Sequence, residues 1–194
     1  MIEENKTEIF FETIRCEDEE VFNLHYHKKR VARTIGMNID LEEYIYPPSQ
    51  ELLKCRVAYT KDEIIDINYT AYTPKQIDNF KLIYDDNISY KYKSTNRKDI
   101  DALYKQKENT SEIIVVKDGL ITDTSIANIA IYQNGIWITP KQPLLRGTTR
   151  DRLIEEGKLK EEDITVNQLI SCEKIAILNA MIGFKTLTEY EIVT

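Results

Sequence analysis

In the run YKYKSTNR, residues 90–97, two lysines stand two apart, each behind a tyrosine. A lysine that gives up its proton is a nucleophile, and its amine attacks a carbonyl carbon to form a Schiff base. Desolvation in a cleft lowers a lysine pKa and brings that chemistry close to neutral pH. If residues 88–93 are extended, Lys91 and Lys93 share one face, with Tyr90 and Tyr92 on the other. The same residues also read as a solvated strand edge, where lysine is common.

Three other stretches carry residues of the right type for chemistry. LLRGTTR, residues 144–150, places a glycine and two hydroxyl residues at a helix start. Unpaired backbone N–H groups and the helix dipole favour an anion there, and Thr148 and Thr149 add hydroxyl donors. A plain N-cap would use the same residues, and the fragment lacks the lysine of a P-loop. ITDTSIANI, residues 121–129, sets Asp123 in an apolar strand context, five residues before Asn128. A carboxylate there needs a positive partner, such as a protonated pyridine nitrogen, unless it is a turn residue. HYHKKR, residues 25–30, offers Arg30, either as an exposed helix start or as an arginine directed at a phosphate. His25 and His27 share a face if the run is a strand, but no third metal ligand stands nearby.

These residues must be held by a framework. IFFETIRC is apolar and β-prone, EDEE is a polar turn, and VFNLHYH alternates strictly, which predicts a hairpin. KKRVARTIG predicts a helix stopped by Gly36, and LEEYIYPP a short helix closed by Pro47 and Pro48. CRVAYT, IIDINYTAYT and NFKLIYDD are strand candidates. RKDIDALYKQK has helical spacing, with Ile100, Leu103 and Tyr104 on one face. SEIIVV runs into a turn at Lys117-Asp118-Gly119. LITDTSIANIAIYQ meets IWITP across Asn134-Gly135, the strongest short hairpin signal. GTTRDRLIEEG reads as a helix between Gly147 and Gly157. The pattern is an α+β (mixed α/β) chain in two lobes, residues 1–88 and 89–194, with the cleft between them as the natural ligand site.

Composition narrows the function. At 194 residues, 42% hydrophobic and 30% charged, with 12 tyrosines, the chain has the makings of a folded core. A net charge of -7 argues against a nucleic-acid partner. The three cysteines, Cys16, Cys55 and Cys172, make no metal-binding pattern and read as free thiols. The acidic, polar start and the lack of a long apolar run predict a cytoplasmic protein with no leader or membrane span.

Taken together and in this order, these motifs resemble the class IV family of pyridoxal-phosphate enzymes (fold type IV). That family includes branched-chain aminotransferases, D-amino-acid aminotransferases and 4-amino-4-deoxychorismate lyases. FETIR, residues 11–15, is similar to the strand that opens the family's active site. HKKR, residues 27–30, matches its H-x-x-R. KSTN and the following Arg97 resemble the runs around its Schiff-base lysine. DTSIAN, residues 123–128, matches E-x-x-x-x-N with Asp for Glu. RGTTR resembles its phosphate loop, and LNAMIGF, residues 178–184, a further segment beside phosphate and substrate.

The resemblance implies a D-amino-acid aminotransferase-like fold, pyridoxal 5'-phosphate as cofactor, a small-molecule amino substrate and a homodimer. It implies that Lys93, rather than Lys91, is the catalytic Schiff-base lysine and general acid/base. The cofactor set would be Arg30, Lys93, Asp123, Asn128, Gly147, Thr148, Thr149, Asn179 and Ala180. Phe11, Thr13 and Arg56 would face substrate. The expected activity is that of a 4-amino-4-deoxychorismate lyase of the folate pathway, forming 4-aminobenzoate and pyruvate. The alternatives are an aminotransferase of branched-chain or D-amino acids and a non-catalytic relative that binds the cofactor or another anion. Departures from the family pattern are Asp123, one methylene short of glutamate, Ala130 for an aromatic, Thr148 for an aliphatic and Phe11 for a tyrosine. Only about ten residues precede the FETIR strand, so the resemblance leads us to expect a trimmed first lobe.

Overall fold

The computed structural model describes residues 7–194; the acidic start, residues 1–6, lies outside them. The chain forms two compact units. One takes in the residues up to Thr73 together with Tyr92–Asn96, and the other Pro74–Lys91 and Arg97–Thr194.

The first unit begins with β1 (Phe10–Glu17), which turns through Asp18 and Glu19, both at positive φ, into the short β2 (Glu20–Val21). The expected second hairpin strand ends there. Asn23 takes a left-handed conformation (φ 61) and α1 (Leu24–Ile35) follows. The alternation of VFNLHYH was therefore misleading. The inward face of this helix is His27, Arg30, Val31 and Ile35, a helical period that includes two polar residues and so escapes an apolar-only pattern. His25 and His27 consequently do not share a strand face, and no cluster of metal-ligating side chains occurs among the described residues. Gly36 stops α1 as expected, at φ 75, where its lack of a Cβ removes the strain. The LEEYIYPP helix is one 3-10 turn, Leu41–Glu43.

β3 (Leu53–Tyr59) and β4 (Ile64–Ala71) complete an antiparallel sheet of order β2-β1-β3-β4. Strict alternation along β1 buries Phe10, Glu12, Ile14 and Cys16 on one face. The apolar members of that set pack with Val31, Ile35, Leu41 and Ile45. Phe11, Thr13 and Arg15 take the other face, with Lys54, Arg56 and Ala58 of β3 across from them.

The second unit is built from β5 (Asn79–Tyr84), α2 (Lys98–Tyr104), β6 (Glu112–Lys117), β7 (Leu120–Thr124), β8 (Asn128–Gln133), β9 (Ile136–Pro140), α3 (Thr148–Glu155), β10 (Lys160–Glu162), α4 (Val166–Ser171), β11 (Lys174–Asn179), β12 (Gly183–Leu187) and β13 (Glu191–Val193). The strand order is β10-β9-β8-β7-β6-β5-β13, with β11 joining β8 to β12. β5 pairs in parallel with both β6 and β13. The tight turns fall where the glycines predicted them, with Asp118-Gly119 and Asn134-Gly135 all at positive φ. The core gathers Phe80, Ile114, Ile121, Ile129, Ile131 and Ile175, all essentially inaccessible. Among the described residues no helix is long and apolar enough to cross a membrane.

Candidate active site

The lysine segment does not form the extended strand on which the face argument rested. Residues 88–93 are irregular, and Ser94 N–H closes back on Tyr92 O at 2.8 Å, which makes Lys93 the middle residue of a γ-turn. Lys91 is exposed and Lys93 half-buried. The turn is tied to β1: Phe11 N donates to Lys93 O at 2.9 Å, and Thr95 N to Ile9 O at 2.8 Å. Lys93 Nζ therefore lies over the Phe11 ring, 4.7 Å from its centroid. The Arg56 guanidinium lies 4.8 Å from the same ring, and Thr13 stands directly across from Arg56. Lys93, Phe11, Thr13 and Arg56 are thus brought together on one face of the sheet.

Arg30 is neither an exposed helix start nor a lone cation. It is 6% exposed and grips Glu12, a carboxylate with no solvent exposure. Arg30 Nε donates to Glu12 Oε1 at 2.9 Å, and Nη2 makes a short second bond to Oε2. His27 Nδ1 lies 2.5 Å from the same Oε2. Burial alone would raise the Glu12 pKa, but Arg30 and His27 override it and bring the carboxyl down to about 2. His27 titrates below its ordinary range, chiefly because it is buried, so its neutral ring donates Nδ1–H to Glu12. The two-point bond fixes the plane of the Arg30 guanidinium. Glu12 went unremarked in the sequence reading. The signal was available: an acid in the inward register of an alternating strand, with histidine and arginine three apart on the next helix.

In the second unit, Asp123 at the end of β7 pairs with Asn128 at the start of β8. Asp123 Oδ1 accepts from Asn128 Nδ2 at 2.7 Å, and Oδ2 from Leu145 N at 2.8 Å. Asn128 Nδ2 also donates to Leu145 O at 2.8 Å. Asn128 Oδ1 lies so close to Gly147 that an added Cβ would sit 2.0 Å from it. A side chain there would have to push Asn128 aside, so Asp123, Asn128 and Gly147 form one packed group. Burial pushes the Asp123 carboxyl up to about 6, against the pull of the Leu145 N–H, Asn128 and the Arg150 charge. A buried acid so raised is one that a cationic partner would stabilise.

Gly147 leads into α3 and offers no side-chain cap. Thr148 and Thr149 are buried at the first helical positions. A buried, uncapped helix start with two hydroxyls is a donor set suited to an anion. Arg150 is fully buried; its Nη2 donates to Pro140 O at 2.8 Å and to Glu161 Oε1 at 2.6 Å. Asn179 spends its side chain locally: Oδ1 accepts from Met181 N and Ile182 N, and Nδ2 donates to Ile126 O. It closes its own turn, with Ala180 half-buried inside it, and braces the tip of the 125–127 turn. Arg97, noted in the sequence only as the end of the lysine run, and Glu112, which went unremarked, grip that turn as well. Arg97 Nη2 donates to Ser125 O at 3.0 Å, and Ser125 N donates to Glu112 Oε1 at 3.3 Å.

Comparison with known proteins adds relatives to this geometry. The family model described as Amino-transferase class IV matches residues 56–190. An uncharacterized protein of Haemophilus influenzae is 33% identical, covering 89% of this chain and 97% of that one. A Schizosaccharomyces pombe protein named "Putative aminodeoxychorismate lyase" is 27% identical over 84% of this chain and 82% of its own length. A crystal structure from Haemophilus somnus, described as "a putative 4-amino-4-deoxychorismate lyase", superposes with a TM-score of 0.84 at 32% identity. It covers 92% of this chain and 98% of that one. A Thermotoga maritima structure, described as "a putative branched-chain amino acid aminotransferase", shares the fold with a TM-score of 0.73 at 16% identity, over 95% of this chain and 77% of that one.

Proposed function

The chain belongs to the class IV aminotransferase family of pyridoxal-phosphate-dependent enzymes, and on that premise we propose that it is a lyase converting aminodeoxychorismate to 4-aminobenzoate and pyruvate. One observation carries this reading: an amine nucleophile and a carboxylate-binding group, Lys93 and Arg56, rest on the same phenyl ring. A substrate with an amino group and a carboxylate would meet both. The names of the Haemophilus somnus and Schizosaccharomyces pombe relatives support the lyase over the transaminase.

The donor sets suit the cofactor. In the second unit, Gly147, Thr148 and Thr149 suit its phosphate; in the first, Arg30 suits the same kind of charge, with Glu12 keeping the guanidinium in one plane. Asp123 would face its ring nitrogen, oriented by Asn128, while Asn179 and Ala180 shape the neighbouring turn. Bound pyridoxal phosphate supplies an electron sink conjugated to the substrate's amino nitrogen. The proton chemistry falls to Lys93. Its Nζ removes the proton from the ring carbon that bears the amino group. The bond from the ring to the enolpyruvyl oxygen breaks, the ring becomes aromatic, and the proton is returned to the leaving three-carbon unit as pyruvate. Atoms and electrons balance with no co-substrate. Phe11 presents an aromatic face under the amine, and Arg56 holds a carboxylate in register with it.

The test is pyruvate release from aminodeoxychorismate by purified protein loaded with pyridoxal phosphate, with no 2-oxo acid added. Repeated turnover is the expected result. Conversion of the cofactor to its amine form by alanine or glutamate, with no pyruvate released from aminodeoxychorismate, would assign the protein to the transaminases.

A further inference from the structure

The sheet face that carries Phe11 and Arg56 also carries Lys54, two residues earlier on β3 and on the same side. Two residues along a strand span about 7 Å. Lys54 and Arg56 are both half-buried, and neither has an ion pair among the described residues. Their cross-strand neighbours do not neutralise them. Arg56 faces Thr13 and Asn68, and Lys54 faces Arg15 and Thr70. The acids of this face stand diagonal to them and bond neither: Glu17, diagonal to Lys54, is taken by Arg15, and Asp66, diagonal to Arg56, is exposed across from Ala58. Arg15 stands directly opposite Lys54, with its own charge paired to Glu17. From the Phe11 ring outward, the strand thus presents one cation at Arg56 and a second at Lys54, both half removed from water and neither ion-paired among the described residues.

We propose that Lys54 binds a second carboxylate of the substrate, beyond the one held by Arg56, so that the site selects cyclic amino dicarboxylates over ordinary monocarboxylate amino acids. The inference deepens the lyase reading and rests on it: the substrate of that reaction carries one carboxylate on the ring and another on the enolpyruvyl group. Two anionic groups several ångströms apart match two cations one strand repeat apart. An amino acid with one carboxylate would satisfy Arg56 alone.

The experiment compares the wild-type holoenzyme with Lys54→Met, which keeps the aliphatic stem, and Lys54→Arg, which keeps the charge. The probes are benzoate and benzene-1,3-dicarboxylate, with binding measured by calorimetry, alongside steady-state kinetics on aminodeoxychorismate. Lys54→Met should weaken the dicarboxylate about three- to tenfold and leave benzoate unchanged, as fits loss of one partly screened ion pair. Its effect on turnover should fall in KM rather than kcat, and Lys54→Arg should restore most of the loss. Equal loss for both probes, or no loss for the dicarboxylate, would overturn the assignment. Failure of the two ideas is distinguishable. Turnover of aminodeoxychorismate with no dependence on Lys54 removes the subsite and leaves the lyase. Lys54-dependent dicarboxylate binding without such turnover keeps the subsite and removes the lyase.

Discussion

Replacing Glu12 by Gln tests whether the buried triad is what fixes Arg30. Glutamine keeps the shape and one acceptor but removes the charge, leaving the Arg30 guanidinium buried beside a neutral neighbour. The carboxyl falls from 4.5 to about 2 on folding, and at 1.36 kcal/mol per unit that is roughly 3 kcal/mol. The figure agrees in order with the ~3–5 kcal/mol cost of removing one partner of a buried ion pair. For a chain of this size it lowers the melting temperature by about 6–12 °C. The pH dependence follows from the sign of the shift. A depressed carboxyl contributes stability that is present in full above about 4.5 and is lost as pH falls toward about 2. Thermal and urea unfolding of wild type and Glu12→Gln, followed by circular dichroism from pH 7 down to pH 3, should show a gap that narrows below about pH 4.5. Adding Arg30→Met to Glu12→Gln should recover part of the loss, because the orphaned charge is gone. A gap under about 1 kcal/mol at pH 7, or one that does not change with pH, would refute the reasoning.

The remaining expectations concern the second unit and the assembly. Asp123 is raised to about 6 by burial, so the folded state holds its proton more tightly than the unfolded one. The cofactor-free protein should therefore lose up to roughly 3 kcal/mol as pH rises from about 3.8 to 6, and Asp123→Ala should abolish that fall in a pH series of urea titrations. Gly147→Ala puts a Cβ 2.0 Å from Asn128 Oδ1. It should cost about 1–3 kcal/mol by overpacking and weaken pyridoxal-phosphate affinity in equilibrium dialysis; wild-type stability and affinity would show that Asn128 can step aside freely. We expect a homodimer, so light scattering on eluted protein should give about twice the 22.7 kDa of one chain, and a monomer at working concentration would remove that expectation.

What could be read from the sequence was what local backbone chemistry decides. Asn134-Gly135, Asp118-Gly119 and Gly36 announced their turns because positive φ is cheap only for such residues. The Asp123…Asn128 pair was legible only through the family motif, since residues 120–133 read as one run, whereas the chain turns at residues 125–127 and sets the two face to face. Residues 21–27 were misread because alternation over so few residues cannot be told from one edge of a helix whose inward positions are polar. The Lys93 turn was missed because its fixing bonds reach Ile9 and Phe11, more than eighty positions away. Glu12 was passed over for the same reason. A glutamate in a strand looks like a surface residue until Arg30 and His27, from another element, are known to meet it. Arg97 and Glu112 act on the backbone of Ser125, and no residue type at position 125 records a main-chain contact.

The placing of the amine on Lys93 is what the functional reading stands on, and reduction with borohydride in the presence of pyridoxal phosphate examines it directly. Peptide mass spectrometry should locate a phosphopyridoxyl group on Lys93, held over the Phe11 ring, and a Lys93→Ala protein should show none. A specific adduct on exposed Lys91, or no specific adduct at any lysine, would contradict it.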